Sequence, residues 1–263
     1  MRLRVTTVLL TILALFLLPI AARAALQAFE DRPGSWNAAD WSSIGSLPPA
    51  SAHPEARILV LSARTGRWKG IFATHSWVVL KRENARTWSR YDVVGWGSPV
   101  RSNGWAPDGR WFGDSPVVIA DVRGAEAAAL LPRLETAITS YGFAKAGDYK
   151  VWPGPNSNTF VAALLRAVPE LRVTLPPTAI GKDFRDGAYV GLTDSRTGVE
   201  ASLYGVLGVK AGWVEGLELN FMGLVAGLDV RHPAVKLPGF GRLGLGGDTA
   251  LAAEPARGTL PSQ

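Results

Sequence analysis

A chain of 263 residues, 47% hydrophobic and only 19% charged, has enough apolar material for one large core or two small ones, which excludes a disordered protein. The formal charge of +6 includes Arg2, Arg4 and Arg23 of the N-terminal leader; without them 25 basic residues face 22 acidic ones, too small an excess for a nucleic-acid platform. Cysteine is absent, which excludes disulfides, thiolate catalysis, thiolate zinc sites and acylation of a lipoprotein cysteine.

Residues 1–24 combine a two-arginine start, an apolar run from Val5 to Ile20, a helix-breaking Pro19 and small residues at Ala22 and Ala24. This is the layout of a secretory signal with an Ala-x-Ala cleavage site. The alternative is an uncleaved membrane anchor, since the run approaches the length that spans a bilayer. Either reading exports the remainder, which is then periplasmic or anchored to the inner membrane facing the periplasm. No second run of eighteen uncharged apolar residues follows, so the mature part is expected to be soluble or peripheral.

Residues 25–56, rich in Pro, Ser, Ala and Trp, read as an irregular arm with at most one helical turn near 37–42. Residues 57–63, 72–81 and 88–96 are predicted strands separated by the turns Thr65-Gly66 and Glu83-Asn84, an antiparallel meander. On the second, His75, Trp77 and Val79 share one face by the period of two. Residues 97–115 carry Asn103-Gly104, Pro107-Asp108-Gly109 and Gly113-Asp114 and read as a long loop. A strand over 116–122 and a helix over 124–141 follow, the helix kinked or divided by Pro132. A second helix begins at the polar cluster Asn156, Ser157, Asn158, carries Phe160, Val161, Leu164, Leu165 and Val168 inward, and stops at Pro169. Helices packed on an antiparallel sheet make the fold class α+β, with the core over 57–187.

Residues 188–247 are β-like and glycine-rich, with strands over 188–192, 199–209, 213–222, 224–230 and 234–237. Glu218 and Asn220 alternate with Leu217, Leu219 and Phe221, which marks a strand with one wet face. Tyr204-Gly205-Val206 is faintly echoed by Met222-Gly223-Leu224. Residues 248–263 read as a disordered tail.

Several motifs are set aside. Gly239–Gly244, GFGRLG, fits a dinucleotide fingerprint in form, but no helix pattern follows, so it is read as turn glycine and no cofactor is expected. Three histidines without H-E-x-x-H give no metal site, and neither S-x-x-K nor G-x-S-x-G occurs. Six tryptophans between Trp68 and Trp111 could stack on sugars, although buried sheet aromatics are the commoner use of such residues.

The polar start of the second helix admits two readings. Asn and Ser there can be caps that satisfy free backbone N–H groups. Alternatively Ser157 is a nucleophile activated by His75, with Asp92 on the neighbouring strand orienting the imidazole, and Tyr91 or Asp114 as other candidates for that role. Asn156, Asn158 and the first helical N–H groups would then stabilise an oxyanion.

The segments FATHSWVVLK, YDVVGWG, DGRWFGDSP, WPGPNSNTFVAALLRAVPEL, LPPTAIGKDF and GLELNFMGLVAGLDV resemble the uncharacterised bacterial family known as domain of unknown function 3750. More remotely, a strand histidine followed by N-S-N-T-F-V resembles the circularly permuted papain-like group, which includes lecithin:retinol acyltransferase and relatives of the NlpC peptidases. That resemblance implies a permuted papain-like core with His75 at the histidine position and Ser157 where the group has cysteine. A serine hydroxyl cannot be ionised as a thiol is, so it would need His75 as general base.

Three functional expectations follow. The first is a papain-like cleft that binds a peptide, peptidoglycan or lipid fragment without catalysis. The second is an envelope hydrolase or acyltransferase acting on an amide or ester through Ser157 and His75. The third is a structural envelope protein. The expected partners are a cell-wall, peptide or lipid ligand, and the membrane if the leader is retained; nucleic acid is not among them.

Overall fold

The run Arg57–Arg64 forms strand β1, apolar along almost its whole length because both faces of its sheet are covered. In this computed structural model, which describes residues 2–244, β1 pairs antiparallel with β2 (Thr74–Lys81) and β5 (Val117–Arg123). Strand β3 (Ser89–Val93) pairs with β2 and β4 (Val100–Ser102) with β3, giving the order β4-β3-β2-β1-β5. Strand β4 lies inside the expected loop; three residues are too few to show alternation in sequence.

One face of this sheet, with Ile58, Val60, Val78 and Leu80, packs on helices α1 (Gly124–Thr139) and α2 (Ser157–Ala167) through Leu130, Leu134, Phe160, Val161 and Leu164. The opposite face, with Leu59, Leu61, Trp77 and Val79, lies under Trp36, Trp41, Trp88, Trp105 and Trp111. The arm tryptophans thus form the lid of a second core, with Trp36 and Trp41 centroids 4.0 Å apart. Pro132 neither divides nor ends α1, contrary to expectation. It sits on the exposed side of the helix, where the carbonyl it leaves without an intrahelical donor can be hydrated.

The N-terminal helix, Arg2–Gln27, also runs through Pro19 and past Ala24. Its stretch Leu10–Gln27 is long and apolar enough to cross a membrane, and little of it is buried.

The C-terminal part is a seven-stranded antiparallel meander: β6 (Ala188–Leu192), β7 (Gly198–Leu203), β8 (Leu207–Gly212), β9 (Gly216–Phe221), β10 (Leu224–Asp229), β11 (Ala234–Leu237) and β12 (Gly241–Gly244). The single strand expected over 199–209 breaks at Tyr204 and Gly205, whose φ angles of 53° and 67° are left-handed. Met222 and Gly223, at 56° and 83°, close the β9–β10 hairpin in the same way, so the echo between the two segments is shared turn chemistry. Gly241–Gly244, expected as a turn, forms β12. The expected tail over 248–263 lies outside the described residues.

The alternation of this sheet is inverted with respect to solvent. Glu218 and Asn220 are buried, 5% and 6% exposed, whereas Leu217, Leu219 and Phe221 are exposed. The polar face is covered by Lys182, Asp183 and Arg185, which close a buried ion network: Lys182 reaches Glu218 at 2.6 Å, Lys210 reaches Asp183 at 2.7 Å and Lys236 reaches Glu218 at 2.6 Å. Arg185 joins Glu200 and Asp194, each at 2.6 Å. Burial alone would raise the Asp183 carboxyl, but Lys182 and Lys210 hold it far below the usual carboxylate range.

Candidate functional site

Helix α2 starts where the sequence places its polar cluster. Asn156 is the N-cap: its Oδ1 accepts from the backbone N–H of Asn158 at 2.9 Å and of Thr159 at 3.2 Å. The Thr159 hydroxyl accepts from the Asn156 N–H at 3.1 Å, which completes a capping box. The loop LPPTAIGKDF wraps this start. Ile180 O accepts from Asn156 Nδ2 at 3.0 Å and from Asn158 Nδ2 at 2.8 Å, and Gly181 O accepts from the Thr159 hydroxyl at 2.8 Å. Gly181 is required here: its φ is +94°, and a Cβ would lie 2.3 Å from Asn156 Nδ2.

Asn158 also ties the helix start to the histidine strand, donating from Nδ2 to Thr74 O at 2.9 Å. Ser157 and His75 are therefore each one residue from a direct link between their elements. No hydrogen bond between their side chains is among those of the described residues. The period of two fixes the face that His75 takes. His75 lies with Ala63, Trp77 and Val79 on the tryptophan-rich face of the sheet, while α2 packs on the opposite face.

Within that second core His75 is well defined. Its ring stacks on Trp111, with centroids 3.6 Å apart and planes 2° from parallel, and Nε2 lies 3.4 Å from Asp92 Oδ2. Of the three candidate orienters, Asp92 is the one in contact. Tyr91 packs in the other core, and Asp114 Oδ2 accepts from the Arg64 N–H at 2.7 Å. Because Asp92 is an ionised acceptor, Nε2 carries the proton and Nδ1 is the bare nitrogen.

The residue that composition and spacing do not reveal is Arg90. Fully buried, it donates from Nη2 and Nε to Asp92 Oδ2 at 2.8 and 3.1 Å and from Nη1 to Ala106 O at 2.8 Å, with its guanidinium 4.1 Å from the Trp77 ring centroid. Its alternation with Asp92 on β3 was the only sequence signal for it. Burial pushes the His75 pKa below its ordinary value despite Asp92, so the ring is neutral at neutral pH. Burial would raise Asp92, but the hydrogen bond from His75 and the Arg90 charge hold it below the usual range.

The side-chain donors suggested for an oxyanion are engaged elsewhere. Both N–H groups of Asn156 Nδ2 go to carbonyls, of Val151 and Ile180, and both of Asn158 Nδ2 to Thr74 and Ile180. No group of three or more His, Asp or Glu among the described residues is arranged to hold a metal ion.

A cleft lies instead between the two sheets. It is open, about 590 Å³ with the solvent-filled mouth included, and is lined by Ile119, Leu175 and Val214 on its apolar side and by Arg172, Asp229, Lys236 and Arg242 on its polar side. Arg242 is deeply buried, with Nε on Asp229 at 2.8 Å, and its Nη1 has no hydrogen-bond partner.

Comparison with curated proteins gave no match, and comparison with solved structures gave none either. Residues 55–184, which run from the start of β1 through the loop around the α2 N-terminus, match the family described as Protein of unknown function (DUF3750). The matched DUF3750 domain holds His75, Asp92 and the Asn156–Asn158 cluster.

Proposed function

We propose that the chain is an exported cell-envelope protein that binds a peptide, peptidoglycan or lipid fragment without transforming it. The observation that carries this reading is the state of Ser157. No hydrogen bond from its hydroxyl to His75 is among those of the described residues, the amides of Asn156 and Asn158 are committed to backbone carbonyls, and His75 contacts Asp92 and Trp111 on the face opposite α2. A serine without a base is a poor nucleophile. The cleft has an apolar wall, an exposed guanidinium at Arg172 and the unpartnered Nη1 of Arg242, which suits a ligand with an acidic head and an apolar or peptide body. Export is supported by the apolar Leu10–Gln27 helix.

Calorimetric titration of the full chain in mild detergent with an anionic muropeptide or a short-chain phospholipid tests the proposal. Saturable binding is expected, weakened by Arg172→Ala, with the ligand recovered unchanged by mass spectrometry. Recovery of a hydrolysed ligand would overturn the non-catalytic part, and no saturable binding of either class would overturn the binding part.

One observation favours the second reading, an amide or ester hydrolase. Asp92 on Nε2 leaves His75 Nδ1 as the basic nitrogen, the arrangement a general base requires. Covalent labelling of Ser157 by a fluorophosphonate, lost in His75→Gln, would support it.

A further inference from the structure

The exposed face of the C-terminal sheet is apolar at every strand, row by row. The pairings align Leu192, Val199, Ala211, Leu217, Leu228, Val235 and Leu243 across all seven strands, and Val190, Ala201, Val209, Leu219 and Ala226 across the first five. A third row runs through Leu203, Leu207, Phe221 and Leu224. No charged residue interrupts these rows. Val190 is 87% exposed, and Val199, Val209, Leu217 and Leu228 are about half exposed or more. Such a face far exceeds the scattered apolar residues of an ordinary soluble surface.

Two features identify what covers it. The first is continuity with the N-terminal helix. Phe16 is buried, with its ring centroid 5.8 Å from that of Phe221 on this same face, while Leu10, Leu13, Leu17 and Leu18 of the helix stay exposed. The sheet face is thus continuous with a helix apolar enough for a bilayer. The second is the rim. The β6–β7, β8–β9 and β10–β11 turns lie at one end of the meander and carry Arg196, Trp213 and Arg231, with Arg196 and Trp213 exposed. The acidic groups at that end are turned inward: Asp194 onto Arg185, Asp229 onto Arg242, and Glu215 onto the Ser195 N–H and hydroxyl. An aromatic and two arginines beside an apolar face suit a headgroup layer containing anionic lipid.

We propose that the sheet face Leu192–Leu243 docks flat on a lipid bilayer, with the N-terminal helix embedded beside it and the β6–β7 and β8–β9 turns at the headgroups. The buried ion network on the opposite face follows from this: the polar side of the sheet is turned to the protein because its apolar side is turned to lipid. The apolar rows take no part in lining the cleft, and the proposal does not depend on the ligand-binding reading.

The lack of native cysteine makes the test clean. Val209→Cys and Val199→Cys, at half-exposed positions, are each labelled with an environment-sensitive nitrobenzoxadiazole dye in the full chain. The labelled chains are mixed with vesicles of phosphatidylethanolamine and phosphatidylglycerol. A dye at Arg86→Cys, on an exposed turn of the first domain, serves as control. The expected result is a blue shift and several-fold rise in emission at 209 and 199 on vesicle addition, quenched by doxyl-labelled lipid, and no change at 86. If vesicles capture the chain while 209 and 199 stay water-exposed, the helix alone anchors it and the proposal fails. If both dyes are already shifted without lipid and light scattering gives twice the monomer mass, the face is a dimer interface and the proposal fails equally.

Discussion

Removing the Asp92 carboxylate should destabilise the first domain more than any other single polar substitution around His75. Asp92 and Arg90 are both fully buried, and Asp92 Oδ2 accepts from Arg90 Nη2 and Nε and lies 3.4 Å from His75 Nε2. In Asp92→Ala the Arg90 guanidinium keeps only Ala106 O and the Trp77 ring, so a buried charge loses its counter-ion. Breaking a buried pair in this way costs about 3–5 kcal/mol. The unpaired His75 N–H adds about 1 kcal/mol. Against a stability of about 5–15 kcal/mol this is roughly a quarter of the total or more. The midpoint of thermal unfolding should fall by roughly 8–24 °C for a protein of this size. Urea unfolding followed by tryptophan fluorescence reads the change directly, because Trp77, Trp105 and Trp111 surround the pair. The double variant Arg90→Met/Asp92→Leu removes both charges and should recover most of the loss. A cost below about 1 kcal/mol for Asp92→Ala, the range of a surface pair, would refute the reasoning.

Three further predictions rest on the same geometry. Asn156→Ala removes the cap and two amide bonds and should cost about 2 kcal/mol or more in chemical denaturation, whereas Asn156→Asp, which keeps the acceptor, should cost less. Gly181→Ala, at φ +94° and against the Asn156 amide, should cost about 2 kcal/mol, measurable as a lowered urea midpoint with unchanged slope. Stability should fall with acid in two steps. The folded His75 pKa lies below the unfolded value of 6.5, so the unfolded chain binds the extra proton and stability is lost as pH falls below about 6.5. Asp92 and Asp183 also have depressed folded values, so a second loss sets in as pH falls through about 4, the range where the unfolded carboxyls protonate. His75→Gln should remove the first step and leave the second.

Much of this fold was legible in the sequence, and the exceptions have physical causes. β1, β2, β5 and α2 announce themselves because their apolar residues follow one clear period. The His75–Asp92 contact follows from two neighbouring antiparallel strands. The faces were harder. Alternation shows that His75 shares a face with Trp77, but only the packing of α2 shows that this face is the one opposite the helix. The C-terminal sheet illustrates the same limit. Glu218 and Asn220 mark one side of β9 as polar, yet what the side faces is decided by Lys182 and Asp183, more than thirty residues upstream. Short elements escaped for lack of length, as in β4 and β12, and Tyr204 hid a turn because a left-handed tyrosine has no signature of its own.

The central proposal is that Ser157 and His75 do not act as a pair. Ser157→Cys makes this measurable, since alkylation by iodoacetamide as a function of pH gives the pKa of the new thiol. A helix N-terminus alone lowers such a thiol modestly from its ordinary value near 8.5, whereas a histidine partner lowers it by several units. The account predicts a modest shift that is the same in Ser157→Cys and in Ser157→Cys/His75→Gln. A strongly depressed thiol pKa that returns toward the ordinary value when His75 is replaced would contradict it.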